Sequence, residues 1–156
     1  MRRRGREEPG PDQESVWDYP RPPRIETSSA QLRIVLAGDV IAATSQSWRV
    51  LETSHPPVHY LPWEAFTVAL QLTTRTSFCE WKGIAQYVSV GPEAEAGWTY
   101  PEHPQLAGHV AVYPARMEAC FLDGERVQSQ DGDFYGGWIT SRVVGPFKGG
   151  TGTLGW

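Results

Sequence analysis

The sequence SFCEWKG, residues 77–83, places a thiol and an amine three residues apart. Cys79 is one of two cysteines and Lys82 one of two lysines in the chain of 156 residues. A thiolate is a nucleophile, and an ammonium group binds an anion or stabilises developing negative charge. On a strand, alternation puts Cys79 and Lys82 on opposite faces and Lys82 beside Glu80, unless the chain bends at Gly83. We therefore interpret Lys82 as a candidate catalytic group and Cys79 as a core thiol at the edge of a ligand site.

A loop stiffened by prolines carries a second set of polar and aromatic side chains. The sequence ETSHPPVHYLPWEAF holds Glu52, His55, Tyr60 and Trp63 beside three prolines. Stiff loops with polar tips commonly shape binding sites. Glu52 is therefore a candidate general base and Tyr60 a candidate ligand contact. The alternative is a connection whose aromatic side chains cover the end of a sheet.

Two predicted strands supply further candidates. In GHVAVYP, alternation puts His109 and Tyr113 on one face, where they could supply acid–base chemistry. His109 is thus a second candidate general base, and a hydrogen-bonded core histidine is the alternative. Together with Tyr113, the segment GWTYP contributes Trp98 and Tyr100 as candidate ligand contacts.

Metal-binding patterns are weak in this sequence. His55 and His59 have a chelating spacing only on a helix, which the two prolines between them exclude. Asp131 and Asp133 resemble a metal-binding pair, but SQDGDFYGGW is typical of a turn. The sequence predicts neither a metal nor a cofactor.

Two hairpins indicate how these side chains are positioned. LRIVLAGDVIAAT alternates on both sides of a turn, which we predict at Gly38 and Asp39. EACFLDGERVQ predicts a second hairpin with Asp123 and Gly124 at its tip. Many short strands of this kind favour an all-β fold.

The remaining segments fit the same fold class. Residues 78–90 predict one long or bent strand interrupted at Gly83. Pro62 can open a single helical turn near Trp63, and no window has the helical stripe of a long helix. We predict a compact single all-β domain over residues 16–156.

Composition bounds the partners and the location. Residues 1–15 mix arginines, acids and prolines without a large apolar side chain after the first residue, so we predict a disordered tail. The net charge of −4 argues against nucleic acid as the main partner. No apolar run is long enough for a bilayer, and no signal sequence follows the first arginines, so we expect no membrane partner, a cytoplasmic location and free thiols.

Several segments in combination resemble the family named domain of unknown function 427 (DUF427). The segments are VWDYPRPPRIE, RVLETSHPPVHYLPWEAF, CEWKGIAQY, GWTYPEHP, GHVAVYP, CFLDGERV, FYGGWIT and VGPFKGG. The resemblance covers nearly all of residues 16–156 and implies folded-over sheets of the β-tent (Mss4-like) group. Many members of that group hold zinc through paired Cys-x-x-Cys motifs, which this sequence lacks.

The resemblance also carries residues over to this chain. Family patterns match at Glu52, Tyr60, Pro62, Cys79, Lys82, Gly83, Tyr87, Trp98, Tyr100, Gly108, Ala111 and Tyr113. The sequence departs from the pattern at Val112, where an aromatic residue is common, and at Trp63 and Ala65, where charged residues are common. A nucleotidyltransferase label attached to the family would imply paired metal-binding acids and a phosphate cradle.

Three functional hypotheses follow, in this order. The first is a domain that binds a small molecule of unidentified class in a polar and aromatic pocket, with turnover as an open extension. The second is a non-catalytic interaction module that uses the seven tryptophans and the glycine-rich tail, which would include a homodimer. The third is metal-dependent nucleotidyl transfer through Asp131 and Asp133.

Overall fold

A computed structural model describes residues 5–132 and 134–156, and strands dominate them. The helical segments of these residues are three single 3-10 turns, Val16–Asp18, Trp63–Ala65 and Pro114–Arg116. None has the length that crossing a membrane would require. The all-β prediction and the short helix near Trp63 are confirmed, and the finer likeness to the β-tent group stays a prediction.

The strands can be numbered in chain order through the described residues. They are β1 (Glu14–Ser15), β2 (Arg24–Ser28), β3 (Leu32–Leu36), β4 (Asp39–Thr44), β5 (Ser47–Leu51), β6 (Val58–Pro62), β7 (Leu70–Cys79), β8 (Gly83–Val90), β9 (Glu93–Thr99), β10 (His109–Val112), β11 (Ala119–Leu122), β12 (Glu125–Arg126), β13 (Gln128–Ser129), β14 (Trp138–Ile139) and β15 (Val143–Val144).

Two antiparallel sheets form the main layers. The larger has seven strands in the order β2-β5-β6-β10-β9-β8-β7, and the smaller has four in the order β12-β11-β3-β4. Two further sheets of the described residues have two short strands each, β1-β15 and β13-β14. The ten-residue strand β7 forms one edge of the large sheet.

Alternation gives the large sheet two different faces, as β10 illustrates. Val110 and Val112 are fully buried in the core that this sheet shares with Ile34 of the small sheet. Ala111 points to the other face and belongs to a cluster that contains Tyr60. The small sheet thus covers one face of the large sheet, and the opposite face carries the aromatic side chains.

The two predicted hairpins are present, and one turn lies elsewhere than predicted. Asp123 and Gly124 form the second tip, and both have positive φ angles of 48° and 83°. In the first hairpin Leu36 pairs with Asp39, so the turn is Ala37-Gly38 rather than Gly38-Asp39. The prediction is wrong by one residue because Ala37 adopts φ 53°, a conformation that alanine seldom takes.

Residues 78–90 are not one bent strand. Phe78 pairs with Ile84 and Cys79 with Gly83, so the chain reverses between β7 and β8. Residues 80–82 form a three-residue turn, and Gly83 follows it with φ 96°. Glycine commonly closes such a turn because its left-handed backbone carries no steric cost. The predicted bend at Gly83 is therefore the end of a hairpin.

Residues 5–15 contact the domain, which differs from the predicted disordered tail. Strand β1 runs parallel to β15, and the amide of Glu7 donates to the carbonyl of Gly145 at 3.0 Å. Arg49 on β5 donates from two nitrogens to the two carboxylate oxygens of Glu14, each at 2.9 Å. A bidentate ion pair and main-chain pairing hold a segment that has few apolar groups. Residues 1–4 lie outside the described residues.

Candidate functional site

An aromatic cavity of about 330 Å³ lies on the face of the large sheet that the small sheet leaves open. Strands β5 to β9 supply its floor, and chain segments around Gln130, Tyr135 and Lys148 form a wall. Its volume is at the lower end of the range for small-molecule sites. The cavity therefore has the dimensions of a site for a compact organic molecule.

Seven of the eight predicted site residues line this cavity. They are Glu52, Tyr60, Cys79, Lys82, Trp98, Tyr100 and Tyr113. These residues lie on five separate chain segments, which the sheet brings together. The predicted grouping thus exists as one space in the fold.

His109 is the exception. It begins β10 opposite Pro62, and it lines a separate depression with Trp48 and Pro62. Its Nδ1 lies 3.0 Å from the carbonyl oxygen of Ala107, and because a carbonyl only accepts, Nδ1 donates. His109 shares a sheet face with Tyr113 but lies at the other end of the strand, away from the cavity.

The β7–β8 hairpin brings Cys79 and Lys82 to the same cavity. The predicted separation onto opposite faces is wrong, because Lys82 lies in the turn and not on a continuing strand. Lys82 also makes no ion pair with Glu80. Its Nζ lies 5.5 Å from the ring centroid of Tyr100, within the range of a cation–π contact.

Aromatic rings in edge-on and tilted contact form the floor. Trp98 donates from Nε1 to the hydroxyl of Tyr60 at 3.0 Å, and the two rings are T-shaped. The ring of Tyr113 lies 4.6 Å from that of Trp98, and the ring of Tyr100 lies 6.3 Å from that of Tyr60. Burial raises the pKa of Tyr60, Tyr100 and Tyr113, so all three phenols stay protonated and can donate at neutral pH.

Glycine lets the tail close on the indole of Trp98. A Cβ added to Gly136 would lie 2.3 Å from Cη2 of Trp98. The neighbouring Gly137 is equally confined, since a Cβ there would lie 2.4 Å from Cγ of Pro56. Gln130 fixes this turn by accepting from the amide of Gly137 at 3.1 Å and donating to the carbonyl of Lys148 at 2.6 Å. The wall is thus built from main chain packed directly on the floor.

The cavity has an excess of positive charge. Among the described residues it is lined by Lys82, Lys148 and Glu52 as charged groups, and by no arginine. Lys148 places Nζ 5.9 Å from the ring centroid of Tyr135 and donates to the backbone oxygen of Trp156 at 3.1 Å. Glu52 lies 3.8 Å from the guanidinium of Arg21, which does not line the cavity. The one acidic group is thus already paired.

His55 is the histidine of the cavity. Its Nδ1 lies 2.9 Å from the carbonyl oxygen of Thr53 and therefore donates, which leaves Nε2 as the acceptor. Burial lowers the pKa of His55, and the nearby ammonium of Lys148 acts in the same direction. The ring makes an edge contact with Tyr135. A neutral imidazole at this position adds a hydrogen-bond acceptor.

Sequence reasoning missed the residues that the tail contributes. Gln130, Tyr135, Gly136 and Lys148 lie in a segment with irregular structure, so no alternation pattern places them. The rarity of lysine was the available signal, because the second lysine of the chain lines the same cavity as the first.

The described residues contain no group of three or more side chains able to hold a metal. Of the predicted acidic pair, Asp131 lies in a bend, and its backbone carbonyl oxygen is close to Gly149. Asp133 lies outside the described residues. His55 and His59 lie in different depressions, since His55 lines the aromatic cavity and His59 lines another depression with Trp138.

Comparison with known proteins agrees with this architecture. The family model described as a domain of unknown function, DUF427, matches residues 24–123, which run from β2 to the tip of the second hairpin. No match was found among curated proteins. The matched range includes the β7–β8 hairpin and the predicted site residues, and the cavity wall formed by the tail lies beyond it. The chain belongs to the DUF427 family.

Proposed function

We propose that this protein binds a small organic molecule in the aromatic cavity. The observation that carries the proposal is the convergence of eight phenylalanine, tyrosine and tryptophan side chains and both lysines of the chain on one space of about 330 Å³. An apolar surface with a few fixed polar groups is the usual composition of such sites. The cytoplasmic location inferred from the sequence is part of this proposal.

The arrangement supports binding more directly than turnover. Of the two candidate general bases, Glu52 lies 3.8 Å from Arg21, and His109 is outside the cavity. Lys82 has no carboxylate partner among the described residues and is the group that remains free to act on a bound molecule. If the molecule is converted, Lys82 would stabilise negative charge that develops on it.

Native mass spectrometry combined with a thermal-shift screen of small organic metabolites tests the proposal. We expect either a bound mass in the purified protein or stabilisation by library members, and we expect Lys82→Met to weaken both. Methionine keeps the apolar stem and removes the charge. Arg126→Met is the matched control, because Arg126 is exposed and donates to the carbonyl of Glu118 outside the cavity. A protein that carries no organic mass and responds to no library member would contradict the proposal.

The same spectra test the interaction-module alternative. Phe78 is 72% exposed and Ile84 48% exposed, and they form a direct cross-strand pair at the tip of the β7–β8 hairpin. A dimer that dissociates when Phe78 is replaced by Ser, together with an absence of small-molecule binding, would favour that alternative.

A further inference from the structure

We infer that the cavity takes a planar aromatic molecule with an anionic oxygen group, a carboxylate or a phosphate monoester, which the ammonium groups of Lys82 and Lys148 bind. This inference rests on the proposed function and specifies the chemical class of the ligand. It comes from three properties of the cavity, which are its charge, its aromatic surface and its size.

The charge of the cavity favours an anionic ligand. Both ammonium groups lie against aromatic rings, that of Lys82 at 5.5 Å from Tyr100 and that of Lys148 at 5.9 Å from Tyr135. Among the described residues neither has a side-chain carboxylate within salt-bridge distance, whereas Glu52 has Arg21. Within that part of the chain Lys82 has no such partner at all, and Lys148 donates one hydrogen bond to the backbone oxygen of Trp156 at 3.1 Å, which leaves its other two N–H groups for a ligand. Two ammonium groups beside a mostly apolar surface are stabilised by an incoming oxyanion, which also accepts charge-assisted hydrogen bonds.

A tyrosine hydroxyl complements the two ammonium groups. Tyr100 and Tyr113 line the cavity. The hydroxyl of Tyr113 is hydrogen-bonded to the side chain of Tyr87, whereas no side chain of the described residues accepts from the hydroxyl of Tyr100. Because burial raises the pKa of Tyr100 and keeps its phenol protonated, this hydroxyl can donate to an oxyanion and is not repelled by it. A cationic ligand would instead face two like charges.

The aromatic surface of the cavity favours a planar ligand. Trp98 is covered on one side by Gly136, and the ring of Tyr113 lies at 4.6 Å from it. Phe78 and Phe134 line the cavity and remain 72% and 64% exposed, so they stand at its mouth. The exposed parts of such rings offer offset and edge contacts to a planar molecule that lies against the cavity wall.

The volume limits the molecule to one ring or a small fused ring. About 330 Å³ corresponds to the liquid volume of roughly eleven water molecules. A dinucleotide or a peptide exceeds that space. A benzoate-sized or indole-sized acid, or an aryl phosphate, fits within it.

Isothermal titration calorimetry with a matched set of probes tests the inference. The probes are benzoate, indole-3-carboxylate and phenyl phosphate, with benzamide, benzylamine and cyclohexanecarboxylate as the neutral, cationic and non-aromatic counterparts. We expect at least one aromatic anion to bind at least about tenfold more tightly than benzamide, which is the value of one charge-assisted hydrogen bond. Benzoate against phenyl phosphate distinguishes a carboxylate site from a phosphate site.

Variants and salt then assign the effect to the lysines. Lys82→Gln and Lys148→Gln should each reduce the preference for the anion over benzamide, and Arg126→Gln should leave it unchanged. Raising the salt concentration should weaken binding of the anion and not of benzamide in the unaltered protein, so the test does not depend on the variants folding.

Three results would overturn the inference. The first is that benzamide or benzylamine binds as tightly as the aromatic acids. The second is an anion preference that persists in both lysine variants. The third is that no probe binds at roughly 10 mM, which corresponds to a binding free energy weaker than about 3 kcal/mol. Binding without regard to charge would leave the small-molecule site standing and reject the anion. A failure of the metabolite screen would reject the site itself.

Discussion

Cys79 pairs directly with Gly83 across the β7–β8 hairpin, so that the thiol just before the three-residue turn and Lys82 at the end of that turn line one cavity. The other cysteine, Cys120, has a different environment, since it is 2% exposed in the core between the sheets. Burial raises the pKa of Cys120 to about 12. The two thiols should therefore differ in reactivity.

Alkylation at pH 8 should modify Cys79 alone in the folded protein. Intact-mass measurement after iodoacetamide treatment should show one adduct in the native state and two in urea, because the thiolate is the reactive form and Cys120 is both buried and protonated. Cys79→Ser should show none in the native state. Modification of Cys120 at a comparable rate would contradict the placement of both thiols, and a ligand of the cavity should slow the reaction of Cys79.

Gly136→Ala should destabilise the protein and deform the cavity. The new methyl group would lie 2.3 Å from Cη2 and 2.9 Å from Cζ3 of Trp98, and a rigid indole cannot yield by a small torsion. We expect the free energy of unfolding in urea to fall by about 1–3 kcal/mol. Gly155→Ala is the control, because a Cβ there meets nothing within 4 Å. Equal stability of the two variants would show that the tail does not close on Trp98.

Arg49→Lys should loosen the segment that precedes the domain core. The guanidinium of Arg49 bonds both oxygens of Glu14 at 2.9 Å and an oxygen of Glu26 at 2.7 Å, which a single ammonium cannot reproduce. We expect a loss of about 1 kcal/mol of unfolding free energy, a modest value because the groups are partly exposed, and faster tryptic cleavage after Arg6. Arg24→Lys is the control, since Arg24 lies on the surface at 3.4 Å from Glu26.

The Glu14 pair also predicts the direction of a pH effect. Hydrogen bonding to Arg49 is the largest cause that lowers the pKa of Glu14 in the folded state. The stabilisation is therefore present above the ordinary carboxyl pKa and is lost as the pH falls through the lowered folded value. The gap in unfolding free energy between the unaltered protein and Arg49→Lys should narrow as the medium is made more acidic. A gap that widens below pH 4.5 would contradict this sign.

His59→Phe should make the protein less sensitive to acid. Burial, with Arg49 as a smaller cause, lowers the pKa of His59 to about 3, and Nδ1 has no hydrogen-bond partner in the described residues. Between the ordinary histidine pKa near 6.5 and this value, the unfolded chain binds a proton that the folded chain does not, so stability falls as the pH falls. The unfolding free energy falls by about 1.4 kcal/mol per pH unit between pH 6.5 and the lowered folded value.

Urea denaturation at several pH values from 7 to about 4.5 measures this difference. Phenylalanine can keep the ring contact that His59 makes with Trp138 at 5.0 Å, and it removes the titrating group. The variant should gain stability relative to the unaltered protein as the pH falls. Parallel curves would show that His59 is not buried in the neutral form.

Local chemistry made part of the fold predictable from the sequence. Asp123 and Gly124 are residues that accept positive φ angles, and both adopt them at the tip of the second hairpin. Ala37 adopts such an angle against its preference, so the first turn could not be placed to the residue. The local sequence around Gly83 is compatible with a bend in one strand and with the end of a hairpin. The pairing of Gly83 with Cys79, which the local sequence does not reveal, shows that it is a hairpin.

The candidate site also has a part that the local sequence predicts and a part that it does not. Tyr60, Trp98 and Tyr100 have aromatic side chains on or next to strands, where alternation gives their face. Lys148 and Gln130 reach the cavity through the fold of an irregular tail, held by a hydrogen bond from the Gln130 side chain to the Lys148 carbonyl. Contacts between segments distant in sequence leave no periodic trace. The sequence predicts the face of His109 and not its position along the strand, because alternation fixes the face of a side chain and not its distance from a site.

The confinement of both lysines to one cavity has a practical consequence for conjugation chemistry. Every other basic side chain with a permanent charge is an arginine, which amine-directed reagents do not modify. A succinimidyl dye, a biotin ester or an amine-coupled sensor surface therefore attaches at the cavity or at the chain's α-amino group. Amine labelling, which is scattered over the surface of most proteins, is therefore directed to few positions here. A dye on a cavity lysine would report whether the cavity holds a ligand. Immobilisation through the same lysines would block the cavity that a binding experiment has to keep open.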